Sequence, residues 1–249
     1  MKKFLLPGFL VFFLSACTMG TPAPTAVSVV ETVGTEKTLP PAIEADTPTP
    51  TLTVTATIPP TPTPPPLYFT DDFDTSLDYW QFLQTGGLSL PVTSIENGSL
   101  RVDIPSEDTW SIGVHNANSY TDVFVRAKFA ASPSGSVGLI CRYDETLGWF
   151  EFNLASNGTY SLLFGKWLAE GIAQYQPILT DPSRTSGLNG EIGLFCEGNF
   201  LRLYADGVLL RNLDVTNYGL TGGRVGITAS SFADIPMVAL FDWVQVSDQ

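Results

Sequence analysis

Along residues 67–249, apolar and polar positions alternate in short runs broken by turn-forming pairs. Ser99-Leu100-Arg101-Val102-Asp103-Ile104 is the cleanest case, and 123–129 follows the same period of two. Further runs cover 137–143, 149–154, 159–164, 192–196, 200–205, 208–213, 224–229 and 238–246. A two-residue period places every second side chain on one face of a strand. Between the runs lie Asn97-Gly98, Asn157-Gly158, Gly198-Asn199 and Asp206-Gly207, residue pairs that accept the positive φ of tight hairpins. No segment sustains a 3.6-residue apolar period, and no 20–50-residue repeat is present. The pattern predicts an all-β chain with minimal helix, folded as a two-sheet antiparallel jelly-roll β-sandwich.

The first 66 residues read differently. Met1-Lys2-Lys3 is a short basic start, and Phe4 to Leu14 is an apolar run too short to span a bilayer but suited to a secretory signal. Leu14-Ser15-Ala16-Cys17 resembles the bacterial lipoprotein signal. The resemblance implies cleavage after residue 16, a diacylglycerol on the Cys17 thiol and an extracytoplasmic protein held to the cell membrane or envelope surface by lipid alone. Thr18 follows in place of Asp, so no inner-membrane retention signal is evident. Residues 18–66 contain 12 Pro and 14 Thr. Proline fixes φ and removes a hydrogen-bond donor, so 17–66 is expected to be a disordered, extended tether. At about 3.1 Å per residue it would reach on the order of 150 Å.

The remaining 67–249 is long enough for one domain with a core of its own. It carries 21 acidic and nine basic residues, a net charge of −12 that repels phosphate backbones and excludes a nucleic-acid partner. One histidine and two domain cysteines provide no zinc ligand set. With Cys17 lipidated, Cys141 and Cys196 form an even pair in an oxidising compartment, which favours a disulfide over two separate buried thiols.

Several stretches together resemble concanavalin A-like lectin/glucanase domains: Phe69-Thr70-Asp71-Asp72-Phe73, the 138–143 and 149–152 hairpin, 201–208, 223–227 and the closing 238–246. Laminin G-like modules, glucanases and 3-keto-disaccharide hydrolases share that architecture. The resemblance implies two face-to-face sheets, one concave, with the first and last strands adjacent. It makes a structural Ca²⁺ at Asp72 and Asp242 conceivable, since calcium takes several oxygen ligands; no cofactor is otherwise required. The glucanases carry Glu-x-Asp-x-Glu on one strand, whereas the comparable strand here reads Trp149-Phe150-Glu151-Phe152-Asn153. One carboxylate does not provide the pair that retaining hydrolysis needs.

That strand suits binding instead. Trp149, Glu151 and Asn153 share a face, and a tryptophan plane with a carboxylate and an amide matches the C–H faces and hydroxyls of a sugar. Arg142 and Trp167 are the expected neighbours, with Tyr143 and Tyr160 as further aromatic candidates. Trp80, Trp110 and Trp243 adjoin alternating strands and read as core. The expected partner is a cell-envelope or extracellular polysaccharide. A glycoside-processing enzyme related to the 3-keto-disaccharide hydrolases and a laminin G-like adhesion module are the alternatives.

Overall fold

The computed structural model describes residues 65–132, 134–184 and 187–248. The signal segment 1–16, Cys17 and all of the tether except Pro65 and Pro66 lie outside the described residues. Fifteen strands form two antiparallel sheets, and the one helical element among the described residues is a short 3₁₀ turn, Thr216–Tyr218.

The eight-stranded sheet runs β13 (Val208–Asp214), β12 (Phe200–Ala205), β11 (Asn189–Glu197), β6 (Val123–Ala131), β15 (Met237–Ser247), β4 (Ser99–Ile104) and β3 (Val92–Glu96). Its remaining strand, β1 (Phe69–Asp71), pairs with the second half of β15, so the first and last strands are adjacent. The seven-stranded sheet runs β10 (Ile172–Asp181), β9 (Tyr160–Ala169), β8 (Gly148–Ala155), β7 (Ser136–Asp144), β14 (Gly223–Ser230), β5 (Thr109–Tyr120) and β2 (Trp80–Gly86).

The main core lies between the sheets and is built by alternation. Leu100, Val102 and Ile104 of β4 meet Val125, Ala127 and Phe129 of β6, with Leu139, Phe150, Phe152 and Ile227 from the other sheet. The Cys141–Cys196 disulfide crosses this core, joining β7 of one sheet to β11 of the other.

β-Bulges in β15 and β7 break the alternation, and each re-aims side chains. In β15 the register shifts between Phe241 and Trp243, so Phe241 and Val244 both point inward while Asp242 and Trp243 face out. Trp243 is therefore not core, contrary to its sequence pattern. In β7 the register shifts between Cys141 and Asp144, with Arg142 at φ +54°.

The seven-stranded sheet curls so far that its edges meet. β10 touches β2, and the Ala173 amide donates to Thr85 Oγ1 at 3.0 Å. The concave face is thus roofed by its own edge strand and holds a second apolar cluster of Ile112, Val114, Ile140, Tyr143 and Trp149.

The chain enters beside β1. Asn118 donates to the Pro66 carbonyl at 3.1 Å, the Tyr120 hydroxyl donates to the Leu67 carbonyl at 2.7 Å, and Tyr68 stacks on Tyr120. Next to this point His115 of β5 is buried, its ring 4.3 Å from Phe69 and edge-on to Trp80 at 5.2 Å. Its Nδ1 has no partner. Burial pushes the imidazole down to about 4, against the weaker pull of Asp71.

Two measurements follow. The disulfide closes a 55-residue separation, so Cys141→Ala with Cys196→Ala should lower stability to urea by about 4 kcal/mol on the loop-entropy argument. Because His115 titrates lower in the folded chain than its ordinary 6.5, its neutral form stabilises the fold above 6.5. That contribution is lost as pH falls through the interval down to about 4. His115→Phe, which keeps the ring stack, should flatten the decline in urea stability over that interval.

Candidate functional site

Trp149, Glu151 and Asn153 do share the concave face of β8, and they form one hydrogen-bonded row. Trp149 Nε1 donates to Glu151 Oε2 at 3.1 Å, and Asn153 Nδ2 donates to Oε1 at 2.9 Å. Thr228 Oγ1 of β14 lies 3.2 Å from both Glu151 Oε1 and Asn153 Oδ1. The neighbouring strands supply glycines where this row needs room. Gly165 pairs with Trp149, and Gly138 pairs with Asn153. A Cβ on Gly165 would stand 2.3 Å from the Trp149 ring, and one on Gly138 would stand 2.2 Å from Asn153 Oδ1.

The row is sealed. Trp149 and Glu151 are wholly buried, beneath an aromatic column that crosses the curled sheet. Trp167 lies 5.3 Å from Trp149, Tyr175 of β10 meets Trp149 edge-on at 5.8 Å, and Trp110 of β5 stacks on Tyr175 at 5.7 Å. Trp110 therefore belongs to this concave cluster rather than to the core between the sheets. The Tyr175 hydroxyl approaches Glu151 without a well-formed hydrogen bond, and Trp110 Nε1 is buried without a partner. Burial holds the Glu151 carboxyl above the ordinary carboxylate range, outweighing the hydrogen bonds from Asn153 and Trp149. The groups facing Glu151 are an indole, an amide, a hydroxyl and a phenol, with no second carboxylate among them.

Arg142 is not brought to this row. The bulge turns it toward the other sheet, where its guanidinium is buried and donates to the Leu220 carbonyl at 2.8 Å and to the Gly198 carbonyl at 2.6 Å. Burial lowers its pKa. The same bulge delivers Tyr143 to the concave side, where its hydroxyl accepts from Trp167 Nε1 at 2.8 Å. Tyr160 faces the core, with its hydroxyl donating to Asp181 at 3.0 Å.

What remains open is the mouth of the concave face. A cleft of about 530 Å³ lies between β2, the β7–β8 turn and the tip of the β9–β10 hairpin. Trp167, Tyr143 and Phe82 supply its rings, and Gln81, Glu145 and Glu170 its polar groups. Arg224 holds one wall, pairing with Glu145 at 2.8 Å and lying 5.0 Å over the Tyr143 ring. Exposed Leu88, Leu90, Leu147, Leu168 and Ile172 stand on the three loops that bound the opening.

The aspartates show no convergence on a cation. Asp242 pairs with Lys128 at 2.8 Å, and Asp72 is exposed. Among the described residues no group of three or more His, Cys, Asp or Glu is placed to hold a metal ion.

Against solved structures, the chain is similar to the glycoside hydrolase family 16 endo-glucanase of Bacteroides ovatus. The TM-score is 0.52 at 10% identity, over 72% of this chain and 99% of that one. The β-glucanase of Bacillus licheniformis matches with a TM-score of 0.50 at 14% identity, over 73% and 98%. The potassium-bound carbohydrate recognition domain of Emp46p matches with a TM-score of 0.51 at 10% identity, over 72% and 94%. The fold is the concanavalin A-like jelly-roll sandwich. No family model and no curated protein sequence matches the chain. Catalytic and recognition domains both use this concanavalin A-like frame, so the frame leaves the role open and the site must decide it.

The sequence indicated that Trp149, Glu151, Asn153 and Trp167 lie together as a ligand face; they do lie together, but Trp149, Glu151 and Asn153 are buried, and Tyr175, Trp110 and Thr228, which complete the cluster, were not indicated. Tyr175 sits in a strand interrupted by Pro177, which obscures any alternation. Trp110 begins a strand buried on both faces.

Glu151 gives a direct test of the sealed row. An unfolded carboxyl ionises near its ordinary 4.5, while the buried one keeps its proton to higher pH. Its contribution to stability therefore falls as pH rises above 4.5, opposite in sign to that of His115. Glu151→Gln should remove that slope in urea titrations while leaving the acid-side slope of His115 in place.

Proposed function

We propose that this protein is a lipid-anchored, extracytoplasmic glycan-binding lipoprotein whose β-sandwich takes a polysaccharide in the cleft at the mouth of its concave sheet. One observation carries the reading: the cleft presents the half-buried rings of Trp167 and Phe82 beside Gln81, Glu145 and Glu170. Ring faces take the C–H faces of a pyranose, and carboxylate and amide edges take its hydroxyls. The tether implied by the Pro/Thr-rich stretch would hold that cleft away from the membrane, where extended chains are accessible.

A binding role accounts for the buried carboxyl better than hydrolysis does. Retaining glycosidases need two carboxyl groups about 5–5.5 Å apart and open to substrate. Glu151 is wholly buried and faces no other carboxylate. Its hydrogen bonds fix Trp149 and Asn153, and Trp149 in turn backs Trp167. Glu151 is thus a positioning residue for the aromatic floor.

The full-length protein should be retarded in native gels containing soluble polysaccharide, with mixed-linkage β-glucan, laminarin, xylan, levan and a soluble α-glucan as the panel. Trp167→Ala should weaken retardation at the cleft by about tenfold or more, the cost of losing a central aromatic anchor. Glu151→Gln should retain it. Unchanged retardation of Trp167→Ala across the panel would remove the cleft reading.

A further inference from the structure

The outer face of the eight-stranded sheet carries a second constellation, on the side of the molecule remote from the cleft. Register places Thr70, Gln245, Arg126, Gly193 and Tyr204 in one cross-strand row over β1, β15, β6, β11 and β12. Two residues along, Trp243, Lys128 and Glu191 form a parallel row. Five strands at about 4.8 Å spacing make the row roughly 19 Å long, the length of a short oligosaccharide rather than of one sugar ring.

Three hollows of about 280, 200 and 340 Å³ follow these rows, and Glu191 lines all three. The first is walled by Trp243, Asp72, Arg126 and Gln245. The second lies between Phe124, Tyr204 and Arg126. Gly193 keeps the sheet low there, since a Cβ would stand 3.1 Å from the Phe124 ring and 3.2 Å from Tyr204.

The polar groups in this groove are incompletely engaged. Arg126 donates through Nη2 to Gln245, yet its Nε is buried without a partner. Lys128, the cross-strand partner of Glu191, is paired with Asp242 at 2.8 Å. The Glu191 carboxylate accepts no hydrogen bond from any described side chain. An acceptor open to the groove therefore stands among half-buried Trp243, Tyr204 and Phe124 rings, with the buried Arg126 Nε beneath it. A ligand whose every hydroxyl both donates and accepts would take the half-exposed Glu191 carboxylate and the Gln245 amide while laying its C–H faces on the rings. Phosphate-bearing ligands do not suit a groove edged by Asp72, Glu191 and Asp206 on a domain of net charge −12.

We infer that this groove is a second glycan-binding site, for a neutral oligosaccharide segment laid across β15, β6 and β11. It stands independently of the cleft and fails separately from it.

The test uses the same full-length protein and polysaccharide panel, with Glu191→Gln and Trp243→Ala as groove variants and Trp167→Ala as the cleft variant. Circular dichroism and thermal melting confirm that each is folded; Glu191 and Trp243 are outside the core, so both folds should persist. The expected result is residual retardation in Trp167→Ala on at least one polysaccharide. Glu191→Gln should weaken that residual binding about tenfold, the usual cost of a lost charge-assisted hydrogen bond. Trp243→Ala should weaken it likewise, and Trp167→Ala with Glu191→Gln should abolish it. Loss of all retardation in Trp167→Ala alone would overturn the groove and keep the cleft. Loss in Glu191→Gln and Trp243→Ala alone would establish the groove and overturn the cleft. A wild-type protein that no member of the panel retards would overturn both.

Discussion

The curl of the seven-stranded sheet is the constraint from which the rest of the molecule's chemistry follows. Once β10 reaches β2, the concave surface is no longer a solvent-facing trough but a small interior. An interior must satisfy its polar groups, and the Trp149–Glu151–Asn153–Thr228 network does so for all but a few atoms. It must also be close-packed, which explains glycines at 138 and 165 opposite the two ends of the row, Asn153 and Trp149. A carboxyl placed there is shifted by desolvation toward its protonated form. The same curl leaves one end open, at the cleft lined by Trp167, Phe82, Gln81 and Glu170.

Much of the eight-stranded sheet was legible from residue order, because β4, β6, β12 and the ends of β15 have one buried and one exposed face. Alternation is clearest under that condition. It failed for β5, whose centre is buried on both sides, and for β10, whose proline and bulge scramble the period. These strands, with β2, are the ones that close the concave face, so the sequence indicated a shared face on β8 without indicating that it would be covered. The expected lipidation signal and Pro/Thr tether, apart from Pro65 and Pro66, lie outside the described part of the chain.

The misplacements of Arg142 and Trp243 have a common origin. Each lies at a β-bulge, and an extra residue in a strand inverts the parity of every position beyond it. No local composition marks either bulge. In β7 the inversion has two effects at once: it brings Tyr143 under Trp167 and sends the Arg142 guanidinium to the carbonyls of Gly198 and Leu220. Arg142 thus ties the two sheets together within a residue of the disulfide that does the same covalently.

The docking of Pro66 and Leu67 onto Asn118 and Tyr120 has a mechanical side. Any tension arriving from the preceding chain is delivered to these two carbonyls and then to β1, a strand only three residues long. Because β1 is zipped to β15, which also borders β6, the load passes into the middle of a broad sheet rather than peeling one of its edges. Pull on the chain ahead of Pro66 is thereby received at an interior seam of the eight-stranded sheet, not at one of its edges.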